Sequence, residues 1–163
     1  MTPDLVVPVR DLVGAPGSER PFSSETPVRL RLGESVVDGP MKVDGVVVGM
    51  IDGVIARFRA SALAHLTCTR CLTEWEGPVS AESDQVFRRV PDEDGYGIVD
   101  DEVDLTGPAR DELALAMPAA PVCRPDCKGL CPTCGNDLNT DPCDGHGEDS
   151  QSPFAALRDL FDP

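Results

Sequence analysis

The sequence predicts an α+β fold, mainly an antiparallel β-sheet or meander with two short helices and a cysteine-rich loop suited to a metal. Three observations carry this expectation. Apolar and polar residues alternate through much of 28–90, the period of a half-buried strand. Two short stretches, 108–117 and 154–161, space their apolar residues for one helical face. Between them, Cys123, Cys127, Cys131 and Cys134 fall within a dozen residues. The 163 residues suit one domain, and with 40% hydrophobic but only 4% aromatic residues the core should be modest.

Residues 1–27 are rich in proline, glycine and serine and read as an extended N-terminal arm, with apolar patches at Leu5–Val9 and Leu12–Val13. A single domain is expected over 28–163. Its strand-rich part, 28–90, opens with Val28, Leu30 and Leu32 on one face and Arg29 and Arg31 on the other. Val43 to Ile51 forms the next strand, and Asp52-Gly53 has the composition of a two-residue hairpin turn. The returning strand sets Val54, Ala56, Phe58, Ala60, Ala62, Ala64 and Leu66 on one face, opposite Arg57, Arg59 and His65. Cys68-Thr-Arg-Cys71 interrupts it, and alternation resumes from Val79 to Val90, so the first cysteine pair should cap a β-hairpin.

An acidic loop follows over 91–104. Gly107-Pro108 then opens a helix with Ala109, Leu113, Ala116 and Met117 on one face, ended by Pro118 and Pro121. This helix and the cysteine-rich loop occupy 105–147. A C-terminal helix is predicted at 152–161, presenting Phe154, Leu157, Leu160 and Phe161.

Charge divides the chain. Residues 1–91 carry 10 basic and 12 acidic side chains; residues 92–163 carry 4 basic and 17 acidic, most of the net −15. A half this acidic repels phosphate backbones and attracts cationic partners. No apolar run approaches a membrane span and the N-terminus lacks the basic start of a signal peptide, so a cytoplasmic protein is expected. In a reducing compartment seven cysteines read as metal ligands rather than disulfides.

Cys-x-x-Cys pairs occupy two corners of a tetrahedron, the geometry of zinc. Cys131-Pro-Thr-Cys134-Gly135 has a proline to fix the bend and a glycine to take the unusual backbone angle. With Cys68, Cys71, Cys123, Cys127, Cys143 and His146, eight ligands are present, enough for two closed sites. Cys131 and Cys134 pair with their nearest later partners, Cys143 and His146. Cys123 and Cys127 then reach back to Cys68 and Cys71. A redox dithiol at Cys68 and Cys71 is disfavoured, because strands rather than a helix N-terminus flank them.

Arg29, Arg31, Arg57 and Arg59 share an outward face, which reads most simply as solvated sheet and functionally as an RNA-contacting patch. His65 reads as a surface histidine, and Trp75 should pack against the first knuckle. The chain has no glycine-rich phosphate loop, no His-Glu-x-x-His and no nucleophile elbow. Thiolate-saturated sites leave no open position for water, so a non-enzymatic protein without a small-molecule substrate is expected.

The order of motifs identifies a family. A Cys-x-Arg-Cys-Leu knuckle precedes an acidic loop, then Leu-Ala-Met-Pro-Ala-Ala-Pro-Val-Cys. Arg-x-Asp-Cys-x-Gly-Leu-Cys-Pro-x-Cys-Gly-x-x-Leu-Asn follows, and last comes Pro-Phe-Ala-Ala-Leu. From about Val43 to Phe161 this resembles the YceD family of bacterial and plastid proteins needed for accumulation of large-subunit ribosomal RNA. The resemblance implies a role in synthesis, processing or stability of 23S rRNA. It also implies association with early large-subunit assembly, since the family's gene commonly neighbours that of a small zinc-ribbon ribosomal protein. The family's cysteines match Cys68, Cys71, Cys123, Cys127, Cys131 and Cys134. The spacing of Cys143 and His146 is wider than the family's usual closing pair.

The expected partner is a large-subunit ribosomal protein, a 23S rRNA precursor, or both. A basic protein would be met by Asp92, Glu93, Asp94, Asp100, Asp101, Glu102 and Asp104. The competing readings are a rubredoxin-like iron electron carrier or redox sensor, and an RNA-processing nuclease.

Overall fold

The computed structural model describes residues 5–91, 93, 95–143 and 146. A short strand β1 (Val6–Pro8) leads to β2 (Glu19–Leu32), β3 (Ser35–Gly49), β4 (Gly53–Thr67) and β5 (Glu74–Arg88). β6 (Tyr96–Gly97), β7 (Glu102–Asp104) and helix α1 (Thr106–Ala116) follow. Strands β2 to β5 form an antiparallel meander, and β6 adds in parallel to the end of β5 at Phe87 and Arg88. β1 and β7 form a separate antiparallel pair. α1 packs across β2, β4 and β5, so the sheet curls around it.

The described residues are 51% strand and 8% helix. This corrects the α+β class expected from the sequence: the fold is a mostly-β, curled five-stranded sheet with one helix among the described residues. The helix predicted at 152–161 lies outside the described residues. Strand also replaces segments read as irregular. β2 starts at Glu19 rather than Val28, running through Pro21 and Pro27, and β3 starts at Ser35 rather than Val43. β2 is an edge strand, where a proline's missing N–H costs no ladder bond on the open side. Residues expected as an arm supply β1 and the buried Leu5, Val7, Val9 and Leu12.

Alternation places the core. On β4, Val54, Ala56, Phe58, Ala60, Ala64 and Leu66 are buried while Arg57, Arg59 and His65 are exposed. Met41, Val43 and Val47 of β3, and Phe87 of β5, meet them from neighbouring strands. Pro108, Ala109 and Leu113 of α1, with Met117 just beyond it, complete this core; Ala116, expected on the same face, is exposed.

The β3–β4 turn is displaced by one residue from the predicted Asp52-Gly53. Met50 N donates to the Gly53 carbonyl, which leaves Ile51 and Asp52 as the turn. Gly53 instead lies on β4, where a Cβ would come within 2.1 Å of the Phe87 carbonyl oxygen, so the close approach of β5 requires glycine.

No helix among the described residues is long and apolar enough to cross a membrane.

Candidate metal centres

β4 stops at Thr67 and β5 begins at Glu74, which leaves Cys68–Thr73 as the tip of a long hairpin. Cys68 N donates to the Thr73 carbonyl at 2.8 Å, and Leu72 N donates to the Cys68 carbonyl at 2.9 Å. Leu72 sits at φ 60°, in the left-handed region. At the second knuckle Gly135 has φ 77° and donates its N–H to the Cys131 carbonyl at 2.9 Å. Both knuckles thus turn by one device, a left-handed residue after the second cysteine that bonds back to the first. At one of them a leucine takes the strained position.

The chain after α1 is steered to the first knuckle. Met117 is extended before Pro118, as a residue preceding proline prefers. The Thr69 amide and hydroxyl both donate to the Pro121 carbonyl, at 2.9 and 3.2 Å. Arg70 then clasps the following loop. Its Nη1 donates to the Cys127 carbonyl at 2.9 Å, and its own carbonyl accepts from Leu130 N at 2.9 Å. Gly129, at φ 79°, would set a Cβ 3.0 Å from that same carbonyl.

These contacts bring Cys68, Cys71, Cys123 and Cys127 together. A second group joins Cys131, Cys134, Cys143 and His146. Within each group every ligand atom lies within 4.8 Å of the others. These are the two sets into which the spacing sorts the ligands. In the first, Cys68, Cys71 and Cys127 are buried and Cys123 is exposed. Trp75 packs against it, with Leu130. The second is built on a small turn: Cys131 N donates to the Asn136 carbonyl at 2.8 Å and Leu138 N to the Gly129 carbonyl at 3.0 Å.

The sulfur spacing tests whether a metal fits. Around a tetrahedral ion with bonds of about 2.3 Å, sulfurs lie about 3.8 Å apart, against about 2.05 Å in a disulfide. Here Cys68 and Cys127 are 3.9 Å apart, Cys71 and Cys123 3.6 Å, and Cys131 and Cys143 3.6 Å. The distances match the metal polyhedron and exclude bonded pairs. Both clusters could hold a metal ion.

The electrostatics prepare thiolates unevenly. Burial pushes the Cys68 thiol up, but amides of Cys123, Cys71 and Arg70 together outweigh it and hold it at about 6. Cys131 is also lowered to about 6, first by the Cys134 and Thr133 amides. The Thr73 hydroxyl and amide lower Cys71. Although the residue is exposed, the Cys123 sulfur itself is crowded by the cluster, and this loss of solvent, then the thiols of Cys71, Cys127 and Cys68, push it up to about 12. Cys134 is raised: its amide contact with Asn136 favours the thiolate, but Cys131, burial and Cys143 together oppose it. Lowered and raised thiols side by side in each cluster are the pattern expected when close sulfurs cannot all carry charge without a cation between them.

Sequence reasoning missed the residue that links the two clusters. Asn139 Oδ1 accepts from Lys128 N at 2.9 Å and from Arg124 Nη2 at 2.7 Å. Its Nδ2 donates to Asp137 Oδ1 at 2.6 Å and to Cys127 Sγ at 3.5 Å. It stands beyond the second knuckle in sequence, yet touches a sulfur of the first cluster. Nothing in the sequence marked it, since asparagine is among the commonest residues of loops and turns.

The outward face of the sheet carries both signs of charge. Arg29 pairs with Asp38 at 3.3 Å, Arg31 with Glu34 at 3.6 Å, Arg57 with Asp84 at 3.5 Å and Arg59 with Glu82 at 3.5 Å. Of the seven acids singled out in 92–104, Asp92 and Asp94 lie outside the described residues. Asp101 holds Arg89 at 2.9 Å and Arg10 at 3.7 Å, and Asp104 Oδ1 accepts from Thr106 N at 2.8 Å, at the start of α1. Glu93, Asp100 and Glu102 are exposed.

Comparison with known proteins bears on these clusters. The family described as "Large ribosomal RNA subunit accumulation protein YceD" matches residues 56–161, a span that holds both. An uncharacterised protein of Mycobacterium tuberculosis is 32% identical over 149 residues, covering 85% of this chain and 71% of the relative. One from Mycobacterium leprae is 30% identical over 172 residues, covering 98% and 78%. A maize protein named "Large ribosomal RNA subunit accumulation protein YCED homolog 1, chloroplastic" is 28% identical over 137 residues, covering 71% of this chain and 47% of its own length. No solved structure shows a significant match.

Proposed function

This chain belongs to the YceD family of large ribosomal RNA subunit accumulation proteins, and on that premise we propose a zinc-binding, non-catalytic factor. It acts in synthesis, processing or stability of 23S rRNA during large-subunit assembly, in the cytoplasm. The observation that carries the reading is the pair of preassembled clusters, with sulfurs at tetrahedral spacing, inside the family-matched span. Cys68, Cys71, Cys123 and Cys127 would hold one zinc ion, and Cys131, Cys134, Cys143 and His146 a second. Zinc in such a site supplies a redox-inert tetrahedral cross-link. The chain's own residues do the rest. Amides at both knuckles hold Cys68 and Cys131 as thiolates at neutral pH, and Arg70 and Asn139 fix the loop that carries Cys127. Four protein ligands leave no position for water, which supports binding rather than catalysis.

The partner we assign is a basic ribosomal protein, held by the acidic half of the chain. Two observations support a protein over direct RNA contact. Residues 92–163 carry a balance of −13. The four arginines of the outward face already lie within 4 Å of carboxylates. Native mass spectrometry tests the metal: two zincs per chain are expected, and a red preparation would reveal ferric tetrathiolate instead. An affinity pull-down with and without ribonuclease tests the partner. Ribosomal protein retained after RNA digestion supports the reading, and loss of every ribosomal protein on digestion refutes it.

A further inference from the structure

At the end of β5 far from the cysteine-bearing tip the fold leaves an open cavity of about 410 Å³, between β1, the β6–β7 segment and the start of α1. Its floor is apolar: Val6, Phe87, Val99 and Pro108, with the Tyr96 ring 5.5 Å from that of Phe87. Val99 is 69% exposed, Val6 38% and Tyr96 37%, so large apolar surface remains uncovered. Its rim is acidic, formed by Asp100, Glu102 and Asp104.

The rim is held in place by the backbone. Asp100 and Asp101 sit consecutively in the left-handed region, φ 51° and 62°, as the two-residue turn of a hairpin closed by Val99 and Glu102. On β7 the buried Val103 turns inward, which leaves Glu102 and Asp104 exposed. Asp104 is committed to the Thr106 amide. Asp100 and Glu102 meet no cation among the described residues, whereas Asp38, Asp84, Glu82 and Asp101 each hold an arginine. Here carboxylates stand over apolar surface without a cation from the described residues.

We infer that this groove receives lysine or arginine side chains from an extended basic segment of the partner protein. Such side chains lay their methylene stems on apolar surface while the cationic head stays in a polar rim. The stem would run along Val6, Val99 and Pro108, past the Tyr96 ring, and the head would reach Asp100 and Glu102. A nucleic acid has the wrong sign, since its phosphates would meet the two free carboxylates. The inference rests on the basic-protein reading above and assigns the place where that partner is gripped.

The test uses the full zinc-loaded chain and a fluorescent twelve-residue peptide of lysine, arginine and glycine, followed by anisotropy near physiological salt. Asp100→Asn with Glu102→Gln removes two charges and keeps the turn, because asparagine tolerates the left-handed region. Tyr96→Ala with Val99→Ser removes floor without changing charge. Glu25→Gln with Glu74→Gln removes two charges far from the groove, in the middle of β2 and at the opposite end of β5. Each of the two groove pairs should weaken binding at least about fivefold and the control pair less than about twofold, because charges beyond ~8 Å are screened. Equal losses from the groove and control acids, or no loss from the floor pair, overturn the groove. Stronger binding of a single-stranded RNA probe than of the peptide also overturns it. If a basic ribosomal protein binds wild type and all variants alike, the groove falls and the partner reading stands. If wild type binds neither that protein nor the peptide, both fall.

Discussion

Breaking the first metal cluster should cost more stability than breaking the second, and the difference can be worked from the structure. Cys123→Ser and Cys134→Ser are matched perturbations, since both thiols are exposed and neither change opens the core. They differ in the loop each cluster closes. The first joins Cys71 to Cys123 across 52 positions and Cys68 to Cys127 across 59; the second joins Cys131 to Cys143 across 12. Closure entropy grows as three-halves RT ln n, so the first cross-link restrains the unfolded chain by about 1.3 kcal/mol more. For a chain this size 1 kcal/mol moves the melting temperature by about 2–4 °C, so the gap between the variants should be about 3–5 °C. Circular dichroism melts of both zinc-loaded variants measure it. A melting temperature lowered as much by Cys134→Ser as by Cys123→Ser would refute the reasoning, and would mean the second cluster holds more than its own loop.

Three further outcomes are expected. Leu72→Gly should raise stability by about 0.5–1 kcal/mol in denaturant titration, since relief of the left-handed strain exceeds the added freedom of the unfolded chain. Asn139→Ala, outside both ligand sets, should weaken metal at the first cluster about tenfold in chelator competition, as loss of an outer-shell partner does. Zinc uptake by the metal-free chain at pH 7 should release protons in a weakly buffered titration. Cys123, pushed up to about 12, enters as a thiol, while Cys68, at about 6, is already mostly thiolate. Because binding expels protons, affinity must rise from pH 6 to 8; an affinity independent of pH contradicts this assignment.

The parts of the fold legible in the sequence were those where one local rule decides the outcome. Alternation along 54–66 gave the β4 face, because a half-buried strand leaves a period of two with no competing signal. The thiol pairs sorted themselves by spacing, since a knuckle is a local turn. Illegible were the elements whose partners are distant. Pro21 and Pro27 read as breakers, and only their place on an edge strand makes them compatible with β2. The Asp100-Asp101 turn lacks the glycine or asparagine that marks such hairpins. Leu72 gave no sign of its backbone angle, because the knuckle turn sets it by position, after the second cysteine, where a leucine stands in place of the glycine that would announce it. Asn139 could be recognised only once Cys127, twelve positions away, was beside it.

The paired arginines of the sheet set how this protein behaves among polyanions. Binding to a phosphate backbone is driven by release of condensed counterions, roughly one for each phosphate neutralised by a free cation. Arg29, Arg31, Arg57 and Arg59 offer few such exchanges, because phosphate must first displace Asp38, Glu34, Asp84 or Glu82. A chain so furnished can work in the crowded neighbourhood of a growing ribosomal particle without adhering to every exposed stem.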